Sequence, residues 1–198
     1  MLFITKKIRG ERVSTIPKAA RKVHDCLVGE IRRYVSEFEP TKVYSWHPDS
    51  TSPLCGIGGI RYEEGVGHVI LVDKRVLKNT ILEEYERFLF VNSPNPDWNI
   101  MKNTSVPTRL DFFEQIVAHE YAHLIEDKLS NKITRSMRET LPFWFSEVIT
   151  GFTSLFLSFE DYYARFDEME EVYNRLHDSS CTQGIGYTLK NIDGVLNL

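Results

Sequence analysis

The sequence predicts an α+β fold, mostly helical, with a small sheet of three to four strands. Apolar residues recur at spacings of three and four over 17–38 and again over 109–130, the period of helices with one buried face. Between them, Lys42 to Asp73 holds short β-branched runs punctuated by glycine, the pattern of strands and turns. The 198 residues are 42% hydrophobic and 26% charged. That excludes a wholly disordered chain and suits one domain, 1–198, burying roughly 70% of the surface its unfolded form exposes. Within it we expect a basic arm and helix (1–40), the small sheet (41–73), a pair of helices (109–158), and an acidic helix and tail (159–198).

The arm is basic because Lys6, Lys7, Arg9, Arg12, Lys18, Arg21, Lys22, Arg32 and Arg33 outnumber Glu11, Asp25 and Glu30. Residues 160–178 reverse the balance. Such runs read as solvated faces, or else as a contact for nucleic acid or an acidic partner. A net charge of −4 and a pI near 5.9 argue against a nucleic-acid partner.

Pro17 to Phe38 is an amphipathic helix in prospect: Ala20, Val23, Leu27, Ile31, Tyr34 and Phe38 share a face, Pro17 suits the first turn and Pro40 stops it. Lys42 to Trp46 is a strand candidate. Gly56–Tyr62 and Val66–Asp73 read as a hairpin turning at Glu63-Glu64-Gly65. The glycines at 56, 58 and 59 do not make a phosphate loop, since no Lys-Ser/Thr follows and Arg61 stands where a dinucleotide motif needs glycine. Arg75 to Val91 reads as a helix, and Asn92 to Thr108 as a long loop.

Cys26, Cys55 and Cys181 are far apart and form no C-x-x-C pair, so free thiols and a reducing, cytoplasmic setting are expected. The first ten residues lack the apolar core of a secretory signal. Leu141 to Phe159 is nearly long enough to span a bilayer, but Glu147, two threonines and three serines interrupt it. No membrane association is expected.

The strongest local signal is His119-Glu120-Tyr121-Ala122-His123, an H-E-x-x-H motif. Thr108 with Asp111 looks like a helix start, and no Gly or Pro interrupts Arg109 to Ser130. On a helix, residues i and i+4 lie on one face about 5–6 Å apart, so the two imidazoles can converge on one metal ion. Glu120, rotated about 100° from His119, can reach a water without displacing a ligand. The alternative is a helix with two incidental histidines.

A third ligand is sought among carboxylates in apolar surroundings. Glu147 is the one charged side chain between Leu141 and Phe159, and Pro142 suits the first turn of its helix. A helix apolar nearly all round is normally buried, and a buried carboxylate needs a cation. A metal ion or a Lys/Arg partner would each serve, and a rim position would remove the need. Position 129 is Leu, so the motif is not extended by a third histidine. Glu126 and Asp127, one turn past His123, suit a supporting or surface place.

Together these residues resemble the gluzincins, zinc metallopeptidases whose third ligand is a glutamate on the helix after the H-E-x-x-H helix. Leu141-Pro142-Phe143-Trp144-Phe145-Ser146-Glu147 is similar to the proline–tryptophan–glutamate run of many of them, and the 24-residue step from His123 to Glu147 is within the family's range. The resemblance covers about residues 109–158. It departs from the family at Val148 and Thr150, where Gly and a small residue often follow, and at Gly151, where others carry an acid.

The resemblance implies a zincin-like fold, with the sheet beside the H-E-x-x-H helix. It implies Zn²⁺ on His119, His123 and Glu147, and hydrolysis of a protein or peptide substrate with Glu120 as general base. A donor for the tetrahedral oxyanion is also implied, with His177, Tyr187, Tyr162 and Tyr163 as candidates, and a substrate-pairing strand, with His68–Val72 as candidate. The competing readings are a DNA-associated zinc protease using the basic arm, and a pseudoenzyme or protein-interaction module with a zincin-like fold.

Overall fold

The computed structural model describes residues 6–8, 10–47, 58–78, 108–129, 135–151 and 166–196. The expected helix over 79–91, the loop over 92–107, Cys55, Tyr162, Tyr163 and the apolar run beyond Gly151 lie outside the described residues. The fold is α+β, and the chain divides into two compact units: Met1–Arg21 with Lys42–Phe113, and Lys22–Thr41 with Glu114–Leu198. No helix among the described residues is long and apolar enough to cross a membrane.

The first unit is built on a sheet of five strands, larger than the three to four expected: β1 (Lys6–Ile8), β2 (Glu11–Thr15), β3 (Lys42–His47), β4 (Gly58–Glu63) and β5 (Gly67–Asp73), in the order β1-β2-β3-β5-β4. The additional pair is the antiparallel β1–β2 hairpin. Its strands are short and rich in Lys and Arg, so neither β propensity nor a long alternation announces them. Gly10, at φ 91°, supplies the left-handed turn residue. The hairpin expected from Gly56–Tyr62 and Val66–Asp73 is present as β4 and β5: Glu63 faces Gly67, and Val66 N–H donates to Glu63 C=O at 3.1 Å.

Strand β5 runs parallel to β3 and antiparallel to β4, so both of its edges are taken. That corrects the expectation that His68–Val72 pairs with substrate. Its continuous Val69-Ile70-Leu71-Val72 run is fully buried on both faces, as an interior strand should be. The described edges of the sheet are β1 and β4.

Ile8, Val13, Trp46, Val69 and Leu71 form the core on one sheet face, with Tyr44 against them. Glu11 and Asp73 enter this face with partners. Trp46 Nε1 donates to Glu11 Oε2 at 2.6 Å. Asp73, wholly buried, is gripped by Arg75 through its backbone N–H (2.8 Å) and its guanidinium (2.8–3.2 Å). After β5, Val76–Lys78 form a 3-10 turn in place of the start of the expected helix.

The helices are α1 (Lys18–Tyr34), α2 (Arg109–Leu129), α3 (Arg135–Thr150), α4 (Phe166–Gln183), α5 (Ile185–Lys190) and α6 (Ile192–Leu196). α1 ends at Tyr34 rather than Phe38; the chain turns through Phe38 N–H donating to Val35 C=O at 3.0 Å. α2 starts as its sequence predicts. Thr108 N–H and Oγ1 donate to Asp111 Oδ2 at 2.8 and 2.7 Å, and Asp111 N–H returns a bond to Thr108 Oγ1 at 3.3 Å.

In the second unit, α3 packs on α4, and α4 on α5 and α6. Trp144, Phe145, Met169, Val172, Leu176, Leu189, Ile192 and Leu196 are buried there. Pro142 does not open a helix as expected; α3 begins seven residues earlier, at Arg135. An interior proline costs about 3 kcal/mol, which burial of Leu141, Phe143, Trp144 and Phe145 at about 1.5–3 kcal/mol each exceeds. The expected C-terminal tail forms the short helices α5 and α6, separated from α4 at Gly184 (φ 89°).

Candidate metal centre

His119, Glu120 and His123 lie on α2, and Glu147 on α3, all in the second unit. The H-E-x-x-H helix is held at its centre. Tyr121, wholly buried, stands between the two histidines in sequence and points its hydroxyl at α1 and the segment after it. The hydroxyl meets His24 Nε2 at 2.7 Å, accepts from Thr41 N–H at 3.2 Å and donates to Thr41 C=O at 3.2 Å. A phenol donates once and accepts twice, so all three bonds together require His24 to donate from Nε2. Phe38 packs edge-on against the same ring, centroids 4.8 Å apart. These contacts fix the rotation of α2 about its axis.

One helical turn apart on α2, His119 and His123 stand side by side. Their rings are edge-to-face with centroids 4.9 Å apart. Burial, and secondly the neighbouring His123, holds the His119 imidazole well below its usual pKa, so it is neutral at physiological pH. A neutral imidazole has the lone pair a metal needs. His123 Nδ1 lies 3.4 Å from Glu126 Oε2, and that carboxylate is buried. A carboxylate on one ring nitrogen fixes the tautomer and leaves Nε2 to face a ligand. Glu120 is 8% exposed.

Phe143 of α3 packs on His119, ring centroids 4.8 Å apart. Glu147 is one turn beyond Phe143 on the same face of α3, because residues i and i+4 share a face. Its carboxylate is half-buried rather than enclosed, since burial ends at Ser146 and α3 stops at Gly151 (φ 73°). The Tyr173 hydroxyl of α4 hydrogen-bonds it; burial first, and then this carboxylate, hold the phenol above its ordinary pKa. Among the described residues, no group of three or more His, Cys, Asp or Glu is gathered closely enough to hold a metal ion. The structure thus joins His119, His123 and Glu126 on one helix, and places Glu147 on the face whose Phe143 touches His119.

Of the oxyanion candidates, His177 lies exposed on α4, stacked on Tyr173 at 5.9 Å, and Tyr187 is half exposed on α5. Sequence reasoning missed Tyr173. The signal available was its i, i+4 spacing from His177. It also missed Tyr121, which reads only as part of an apolar stripe.

No family model matches the chain, and neither a curated protein nor a solved structure matches it.

Proposed function

We propose that the chain is a zinc-dependent peptidase of the zincin-like, gluzincin type, acting on a protein or peptide substrate in the cytoplasm. The observation that carries the reading is the pair of imidazoles on one face of α2, with Phe143 of α3 on His119 and Glu147 one turn further along that face. The donor set fits the ion: two imidazoles and a carboxylate are the ligands of many catalytic zinc sites.

In this reading His119, His123 and Glu147 hold Zn²⁺. Glu126 keeps His123 in one tautomer, and the Tyr173 hydroxyl orients the Glu147 carboxylate. Bound zinc supplies Lewis acidity, lowering the pKa of water toward about 7 and polarising the scissile carbonyl. Glu120 takes the proton of the attacking water and returns it to the leaving amine. Its burial keeps bulk water from competing for the carboxylate.

The second reading is a protein-interaction module on the same scaffold, without metal. It is favoured by the lack, among the described residues, of a gathered three-donor cluster. Metal content of the purified chain after dialysis separates the two. About one zinc per chain, lost in His123→Ala and Glu147→Ala, with Glu120→Gln keeping zinc and losing turnover of a casein substrate, supports the peptidase. A chain that stays metal-free when zinc is added refutes it.

A further inference from the structure

A row of basic residues crosses one end of the sheet in the first unit. In the β1–β2 register Lys7 stands opposite Arg12, and in the β2–β3 register Arg12 stands opposite His47. Directly paired residues share a face of the sheet, so these three side chains line up on one face. Lys74, just after β5, donates its backbone N–H to Trp46 C=O at 2.8 Å and so lies beside His47 at the end of β3. Lys78 follows in the 3-10 turn. Lys7, Arg12 and Lys78 are exposed, and His47 and Lys74 partly so. From β1 to β5 the row spans about 14 Å, three inter-strand spacings.

The strand registers bring these charges within reach of one another. Besides burial, the charges of Lys74, Lys78 and Arg12 all depress the His47 imidazole, opposed by Asp73. The acids on these strands are turned elsewhere: Glu11 and Asp73 are on the opposite face, bound to Trp46 and Arg75. Lys7 and Arg12, like charges directly opposite across strands, weaken the sheet, so an anion laid along the row relieves a cost built into the fold.

We infer that this row binds the phosphodiester backbone of a single-stranded nucleic acid, independently of base sequence. The row runs across the strands on the sheet face, not along an edge, so it offers no backbone pairing to an extended peptide. On the same face the buried Ser14 Oγ lies 2.9 Å from His47 Nε2 and holds that imidazole in place beside Arg12. Such a row contacts phosphate oxygens, which fix the backbone and carry no base sequence. The net charge of −4 does not oppose this at short range, because charges further away than about 8–10 Å are largely screened at physiological salt.

The test is fluorescence anisotropy of a labelled oligothymidylate with the full chain, from low to physiological salt. About three phosphate contacts give a slope of log K against log salt near −2. The triple variant Lys7→Glu, Arg12→Glu, Lys74→Glu is expected to bind about tenfold or more weakly. Reversing an exposed cation on the opposite sheet face, Lys42→Glu, five residues along β3 from His47, should change affinity by less than about twofold. Where circular dichroism shows the triple variant unfolded, Arg12→Gln alone carries the comparison, with about a threefold loss expected. The inference is overturned by no binding at low salt, by equal losses in the control variant, or by poly-glutamate binding the row more tightly than the oligonucleotide. None of these readouts depends on metal or peptidase activity.

Discussion

Replacing Tyr121 by Phe isolates the contribution of one hydroxyl to the helix that carries the histidine pair. The substitution keeps the ring, its burial and its edge-on contact with Phe38. It removes three hydrogen bonds, at 2.7 Å to His24 and at 3.2 Å to the amide and carbonyl of Thr41. A typical bond contributes about 0.5–1.5 kcal/mol net, so three would sum to about 1.5–4.5. Thr41 and His24 are only partly buried, so water replaces some of what is lost, and we expect a cost of about 2–3 kcal/mol. With a urea slope of roughly 2 kcal/mol per molar, the unfolding midpoint should fall by about 1 M at unchanged slope. Far-UV circular dichroism follows the transition, since this unit is helical. A loss under about 0.5 kcal/mol would refute the argument that this hydroxyl anchors α2.

Two further outcomes follow from the same geometry. Glu126→Gln should weaken zinc binding about 10–100-fold, measured by competition with a chromophoric chelator; an unchanged affinity would mean that His123 is not held through Glu126. Burial lowers the His24 pKa, with Asp25 pulling weakly the other way, so the folded state takes up this proton less readily than the unfolded chain. The stability it protects is therefore full above about pH 6.5 and is lost as pH falls below it. Urea midpoints at about pH 7.5 and about pH 5.5 should differ more in the parent than in His24→Gln; equal differences would exclude His24 as a source.

What the sequence determined by itself is what short-range chemistry encodes. The period of three and four marked α1 and α2, and Thr108 with Asp111 marked the start of α2 to the residue, because caps and faces depend on neighbours within a turn. The glycine-marked turn and β-branched run gave the β4–β5 hairpin, and the spacing of His119 and His123 made their pairing a consequence of helix geometry alone.

The tertiary structure decided whatever joins residues distant in the chain. Strand order made β5 an interior strand, though its sequence alone suits a substrate-facing one equally well. The β1–β2 hairpin turned a basic arm into an aligned row of charge by its register with β3, which no local pattern states. Burial of Leu141 to Phe145 carried α3 through Pro142, against local preference. Tyr121 with Thr41, 80 residues apart, and Tyr173 with Glu147 meet only because helices pack. Such contacts depend on the sum of many weak apolar burials, and that sum has no signature at either partner's position.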